Sequence, residues 1–195
     1  MYSAILSKGV KELTADMDMD GITLVNEYGY ASQELINTML VGRGASNVHD
    51  GDKDLGGDKE KGESMILKGI LRRSEIGFLT FFEHYGYFTV GEHLKRPSLP
   101  IWIVCSESHY SVLFSTDMGL VQSSTPAKFD LVYWDELSRQ EDDIILTVEP
   151  GMQESVVKKG LGGRKQKEVL VPIDAVIRTK WEKARINWNG RTVIL

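Results

Sequence analysis

Five short runs dominated by β-branched and aromatic residues constrain this chain most: YFTV at 87–90, IWIVC at 101–105, HYSVLF at 109–114, FDLVYW at 129–134 and DIILTV at 143–148. Such side chains suit a pleated, half-buried surface better than a helix, where a branched Cβ loses rotamer freedom against the preceding turn. The connections between the runs are too short for crossover helices, and the one at Ser106, Glu107 and Ser108 is of hairpin length. Parallel pairing needs a crossover of a dozen or more residues, so neighbouring runs should pair antiparallel in one sheet. With helical segments beside it, the expected class is α+β.

Two helices are predicted. SQELINTMLV places Leu35, Ile36, Met39 and Leu40 on one face, and Gly42 and Gly44 follow, so Ser32 to Val41 should be a helix packed on the core. SEIGFLTFFEHY sets Phe78, Phe81, Phe82 and Tyr85 at three- and four-residue spacings behind a capping Ser74, predicting a second helix through Tyr85. Gly77 inside it suggests a close helix contact, at about 1 kcal/mol of lost propensity. The ending RTKWEKARINWNGRTVIL carries Trp181, Trp188 and an Asn189–Gly190 turn signal, so this aromatic segment should dock into the core.

Two segments lack the apolar surface to offset their ordering entropy: the charged stretch within 46–64 and the glycine-rich basic stretch 151–168. Both are expected to be mobile surface loops. No repeat or second domain is evident, so residues 1–195 read as a single domain or a large part of one. A net charge of -5 gives no general attraction to phosphate backbones or anionic lipid, which argues against nucleic-acid and membrane partners. No apolar run approaches a bilayer span, the N-terminal residues are too interrupted by charge for a secretory signal, and Cys105 has no disulfide partner in the chain. An intracellular protein, cytoplasmic or nuclear, is expected.

Metal and cofactor readings are weak. Asp16, Asp18, Asp20, Gly21 and Glu27 match the spacing of a calcium loop, D-x-D-x-D-G-x5-E. Against it, Thr23 stands where such loops place a branched aliphatic, Gly29 interrupts the exiting helix, and no second hand is present. A plain connecting loop is the better expectation. His84, His93, Cys105 and His109 lack the closely paired ligands of a structural zinc site. Neither a metal nor another cofactor is expected.

A family resemblance becomes specific at residues 66–115, ILKGILRRSEIGFLTFFEHYGYFTVGEHLKRPSLPIWIVCSESHYSVLFS. This run resembles the MINDY deubiquitinases, nearest their fourth vertebrate branch. GYASQELINTMLVGRGASNV, FDLVYWDELSRQ and IRTKWEKARINWNGRTVIL extend the similarity over nearly the whole chain outside the two polar loops. The resemblance implies the C-terminal portion of a papain-like cysteine protease domain that hydrolyses isopeptide bonds in polyubiquitin, with ubiquitin or polyubiquitin as partner. In that family a nucleophilic cysteine and an oxyanion-stabilising glutamine lie upstream, near a glycine-rich helix start, and that part has no counterpart here. A noncatalytic ubiquitin-binding module, or pseudoenzyme, is the alternative reading.

The family's histidine motif is met by Ser108, His109, Tyr110 and Ser111, which makes His109 the general base by resemblance. Taken alone, a histidine entering a hairpin strand is a weak signal, although a free imidazole titrates near pH 6.5, about right for proton transfer. Alternation places His109, Ser111 and Leu113 on one sheet face and Tyr110, Val112 and Phe114 on the other, and the second set is the expected core. Asp135 is a candidate to orient the imidazole, with Asp130 or a backbone carbonyl as alternatives. Cys105 is close in sequence to His109 but ends an apolar run, the setting of an inert core thiol rather than of a nucleophile.

Overall fold

Alternating apolar and polar side chains over residues 101–148 are realised as consecutive strands. The computed structural model describes residues 2–57, 65–122, 127–152 and 171–191. In chain order its elements are α1 Tyr2–Lys8, α2 Val10–Ala15, α3 Gln33–Val41, β1 Lys53–Asp54, β2 Ile66–Leu67, β3 Gly77–Thr80, α4 Phe81–His84, α5 Glu92–Lys95, β4 Ile101–Ser106, β5 His109–Phe114, α6 Gly119–Gln122, β6 Phe129–Trp134, a 3₁₀ turn Glu136–Ser138, β7 Ile144–Glu149, α7 Pro172–Lys180 and β8 Arg185–Asn187. This is an α+β protein. It divides into two compact units, Met1–Phe78 with Thr89–Leu99 and Leu79–Phe88 with Pro100–Leu195.

The main sheet has the order β3-β4-β5-β6-β7-β8, and every pair from β4 to β8 is antiparallel. Register sets Trp102 opposite Leu113, Leu113 opposite Tyr133, and Tyr133 opposite Ile144, so one face carries an unbroken row of large side chains. That row joins Val104, Leu131, Leu146 and Val148 in a buried cluster with Ile173, Val176 and Ile177 of α7 and with Trp181 and Trp188. Each fully buried aliphatic contributes about 1.5–3 kcal/mol. Pro172 opens α7, where a missing N–H costs nothing. The Trp188 indole N–H donates to Asp174 Oδ1 at 2.9 Å, tying the aromatic segment to that helix. Asn189 and Gly190 both have left-handed φ, 52° and 80°, and the Arg191 N–H donates to the Trp188 carbonyl, which is the hydrogen-bonded turn expected there.

Three local expectations fail. The helix predicted from Ser74 to Tyr85 is instead strand β3 followed by the single turn α4. Gly77–Thr80 is buried at all four positions, the mark of a strand covered on both faces, and its phenylalanine spacing imitates a helical stripe. Ser74 caps no helix; its hydroxyl donates to the His93 carbonyl, and Thr80 caps α4 by accepting from the Phe82 N–H. YFTV at 87–90 forms no strand, its Tyr87 and Phe88 rings lying against Phe82 outside the sheet. Strands β3 and β8 were not foreseen.

In the first unit, Ser32 caps α3 as expected, its hydroxyl accepting from the Leu35 N–H. The buried face is different from the predicted one. Glu34, Leu35, Asn37 and Thr38 turn inward while Met39 is 57% exposed. Asn37 is inside because its amide donates to the carbonyls of Ala45 and Asn47. Residues 46–57, expected within a mobile loop, are fixed largely by polar side chains, with Val48 buried among them. Arg43 grips Asp52 in a two-pronged pair at 2.7 and 3.0 Å, holding that carboxyl below its ordinary range. Asp50 accepts from the Glu92 and His93 N–H groups at 2.9 Å each, capping α5, whose own N-cap is Gly91. A Cβ at Gly91 would fall 2.2 Å from Asp50 Oδ1, so only glycine admits this approach. Residues 58–64 and 153–170, parts of the two expected loops, lie outside the described residues.

Neighbouring β7 residues test the face assignment. Leu146→Ala, which empties the core side, should cost about 2–5 kcal/mol in urea unfolding, whereas Ile145→Ala on the outer side should cost less than about 1 kcal/mol. Equal losses would contradict the register.

Candidate active site

The two-residue turn Glu107–Ser108 closes β4 onto β5, and Ser106 pairs with His109 as the last rung of the ladder. His109 therefore continues the face that carries Leu113 and Ser111, both buried. This reverses the predicted faces: Tyr110, Val112 and Phe114 are only half-buried, and the histidine stands at the rim of the core side. The reason lies in the neighbours, since Trp102 on β4 and Tyr133 on β6 flank Leu113 and draw that side inward.

Around His109 lies a cleft of about 520 Å³, lined among others by Ser106, Glu107, Tyr133, Asp135, Leu137 and Pro172. The structure places Asp135 Oδ2 2.9 Å from His109 Nε2. The acid side chain is 8% exposed and the histidine 36%. The approach is off the line of the ring N–H, so this is a close contact without the alignment of a full hydrogen bond. Asp135 is itself held. Its Oδ1 accepts from the Leu137 N–H at 3.0 Å, its N–H donates to Gln140 Oε1 at 3.1 Å, and its carbonyl accepts from the Ser138 hydroxyl at 2.8 Å.

Tyr133 Oη lies 3.5 Å from Asp135 Oδ2. Burial pushes this phenol above its ordinary pKa, and the Asp135 carboxylate pushes it further, so it is a neutral donor at physiological pH. The Ser111 hydroxyl acts in the opposite direction. Ser111 Oγ and His109 Nε2 are both buried polar atoms on the face of the sheet that ends at the cleft. An imidazole beside a shielded carboxylate can keep one nitrogen protonated and use the other to take up and return a proton.

The other candidates lie elsewhere. Asp130 is on the opposite face of β6 from Tyr133 and accepts from the Thr147 hydroxyl at 2.7 Å. Cys105 pairs with Tyr110, one rung inward, and alternation turns its side chain away from the face of His109. The thiol is buried, which raises its pKa, with Tyr110 and Thr80 opposing that shift, and its Sγ donates to the Glu107 carbonyl. Asp16 engages Lys8, Arg43 and the Gly44 N–H, while Asp18 accepts from Asn47 and the Lys68 N–H. Their oxygens are directed at protein donors rather than at a common centre. His84 stacks on Phe81, and His93 Nδ1 meets the Ile70 carbonyl. Among the described residues, no group of three or more His, Cys, Asp or Glu side chains is placed to hold a metal ion, and no helix is long and apolar enough to cross a membrane.

Sequence reasoning missed Tyr133 and Gln140. Tyr133 was accessible through alternation with Phe129 and Leu131, whereas nothing in the sequence marks a lone glutamine in a connection.

A family model described as the conserved domain of the deubiquitinating enzymes MINDY-3/4 matches residues 1–190 and so spans both units. The chain belongs to this MINDY family. It is 41% identical over 194 residues to the human probable ubiquitin carboxyl-terminal hydrolase MINDY-4, a match covering 99% of this chain and 24% of the human protein. A frog relative of the same name, from Xenopus tropicalis, is 39% identical over the same length, and the Drosophila MINDY-3 homolog is 41% identical over 129 residues, 66% of this chain. The chain spans about a quarter of the length of these relatives. No solved structure matches it.

The burial of Cys105 has a measurable consequence. Because its pKa is raised, the reactive thiolate is scarce at neutral pH and increases only as pH rises above the ordinary thiol range. Native protein at pH 7.5 should react with a thiol-specific disulfide reagent at least about a hundredfold more slowly than protein in urea, and equal rates would refute the placement.

Proposed function

We propose that this chain is the histidine-bearing C-terminal portion of a papain-like, thiol-dependent deubiquitinase domain that hydrolyses isopeptide bonds in polyubiquitin. His109 is the general base and Asp135 its orienter. The observation that carries this reading is the 2.9 Å contact between His109 Nε2 and a nearly buried Asp135 at the edge of a cleft, in a chain whose relatives are named ubiquitin carboxyl-terminal hydrolases. With Nε2 facing the carboxylate, Nδ1 is the nitrogen that exchanges protons. It would take the proton of an attacking thiol, pass it to the departing lysine amine, and then assist water in hydrolysing the acyl-enzyme. Asp135 stabilises the imidazolium formed in between.

The thiol is not Cys105, which is buried on the opposite face of the hairpin. The nucleophile and the oxyanion donor would come from polypeptide outside these 195 residues. Ubiquitin binding without cleavage is the alternative, and the same experiment separates the two.

The 195-residue chain alone should neither cleave polyubiquitin nor form an adduct with a ubiquitin bearing a C-terminal electrophile. A longer polypeptide carrying the upstream cysteine motif should do both. In that longer form His109→Ala should lower cleavage on the order of 10²- to 10⁴-fold with folding preserved. Asp135→Asn should also lower it strongly, because an amide at that place disturbs the tautomer. Near-normal turnover of a well-folded His109→Ala protein would exclude the assignment, and labelling of Cys105 by the probe would relocate the nucleophile.

A further inference from the structure

Strand β6 leaves the β7 ladder just before the residues that matter most. The last paired position is Tyr133 opposite Ile144, and the segment through Asp143 departs into the 3₁₀ turn. Without some partner, the Asp135 N–H, just past the last rung, would be left unpaired in a half-buried place, which costs about 1–3 kcal/mol. Gln140 fills that gap. Its Oε1 accepts from the Asp135 N–H at 3.1 Å, and its Nε2 donates to the Tyr133 carbonyl at 2.9 Å and to the Asp142 carbonyl at 2.8 Å. One primary amide thus stands in for the peptide unit that a continuing β7 would have offered.

We infer that Gln140 is a positioning residue for the His109–Asp135 pair, an inference that rests on the function proposed above. It fixes the backbone on both sides of Trp134, and the two side chains so fixed, Tyr133 and Asp135, are the ones that meet beside His109. Asp135 Oδ1 is already committed to the Leu137 N–H, so the remaining freedom of Oδ2 is set by where the backbone at 135 is held. Gln140 touches neither histidine nor substrate cleft directly; its action passes through Asp135. Glutamate cannot replace it, because a carboxylate has no donor for the two carbonyls and would bring negative charge beside Asp135 and Asp142.

Among the described residues, the charged and titratable groups that line the cleft with the histidine are Glu107 on the hairpin turn, Tyr133 on β6 and Asp135 beyond it, so the readout must report the imidazole itself. Two-bond nitrogen–proton NMR of uniformly ¹⁵N-labelled 195-residue chain distinguishes the two neutral tautomers, and a His109→Gln control assigns the signal among the four histidines. At a pH where the ring is neutral, the wild-type chain should show His109 protonated chiefly at Nε2. Gln140→Glu and Gln140→Ala should each move it towards a mixed tautomer while backbone dispersion elsewhere is retained. Asp135→Asn is the reference for complete loss of orientation. Unchanged His109 signals in both Gln140 variants, with Asp135→Asn shifting them, would overturn the inference alone. Unchanged signals in Asp135→Asn as well would overturn the orienter reading on which it rests. General loss of dispersion in both Gln140 variants would also count against it, marking a merely structural residue.

Discussion

The register of the β4–β5 hairpin decides which side of the sheet the side chains at its tip reach. With Trp102 opposite Leu113 and Ser106 opposite His109, the face filled by tryptophan and leucine in the middle of the hairpin is the same face that ends in an imidazole at its tip. A slip of one residue in β5 would send His109 to the outer side, since side chains alternate strictly along a strand. The buried row over four strands and α7 opposes that slip, because it would turn Leu113 and Ser111 out of the core as well. Core packing and site placement are therefore one constraint. The histidine is held in place by the apolar residues that fix the register.

Asp135 shows how a carboxylate tolerates such a position. Taking an ionised carboxyl largely out of water is costly unless its oxygens find donors. Here one oxygen receives the Leu137 N–H and the other faces the imidazole with the Tyr133 phenol nearby. The 3₁₀ turn after β6 exists in the form it does because Asp135 caps it. The acid at the cleft is thus a structural cap on one oxygen and a chemical neighbour on the other. A frame that uses both oxygens leaves little play in the side chain, which is what orienting a ring requires.

How much of this could be read from the chain differs by element and for physical reasons. Strands β4 to β7 were legible because each is half-buried and alternates, and their short connections left only antiparallel pairing. β3 was not, because burial on both faces removes the alternation and leaves phenylalanines at spacings that also suit a helix. The inward face of α3 was misjudged for a related reason. Asn37 is buried by virtue of the carbonyls of Ala45 and Asn47, which no periodicity reveals. At the site, His109 and Asp135 could be named from a motif and from a strand end, and strand parity is what separates Asp135 from Asp130. Gln140 was beyond reach, since its amide matters only for the backbone groups that the departure of β6 leaves open.

The approach of Asp50 to Gly91 carries a consequence for how this sequence can drift. A helix of four residues whose first N–H groups are capped by a carboxylate 42 positions earlier has no local signal of its own, and its start is written at two distant sites. Neither site can change freely. A methyl at 91 would occupy the place of the carboxylate, and a side chain at 50 without an acceptor oxygen would leave the Glu92 and His93 N–H groups uncapped. Such a pair behaves as a single inherited character: a change at either position removes a cap that depends on both.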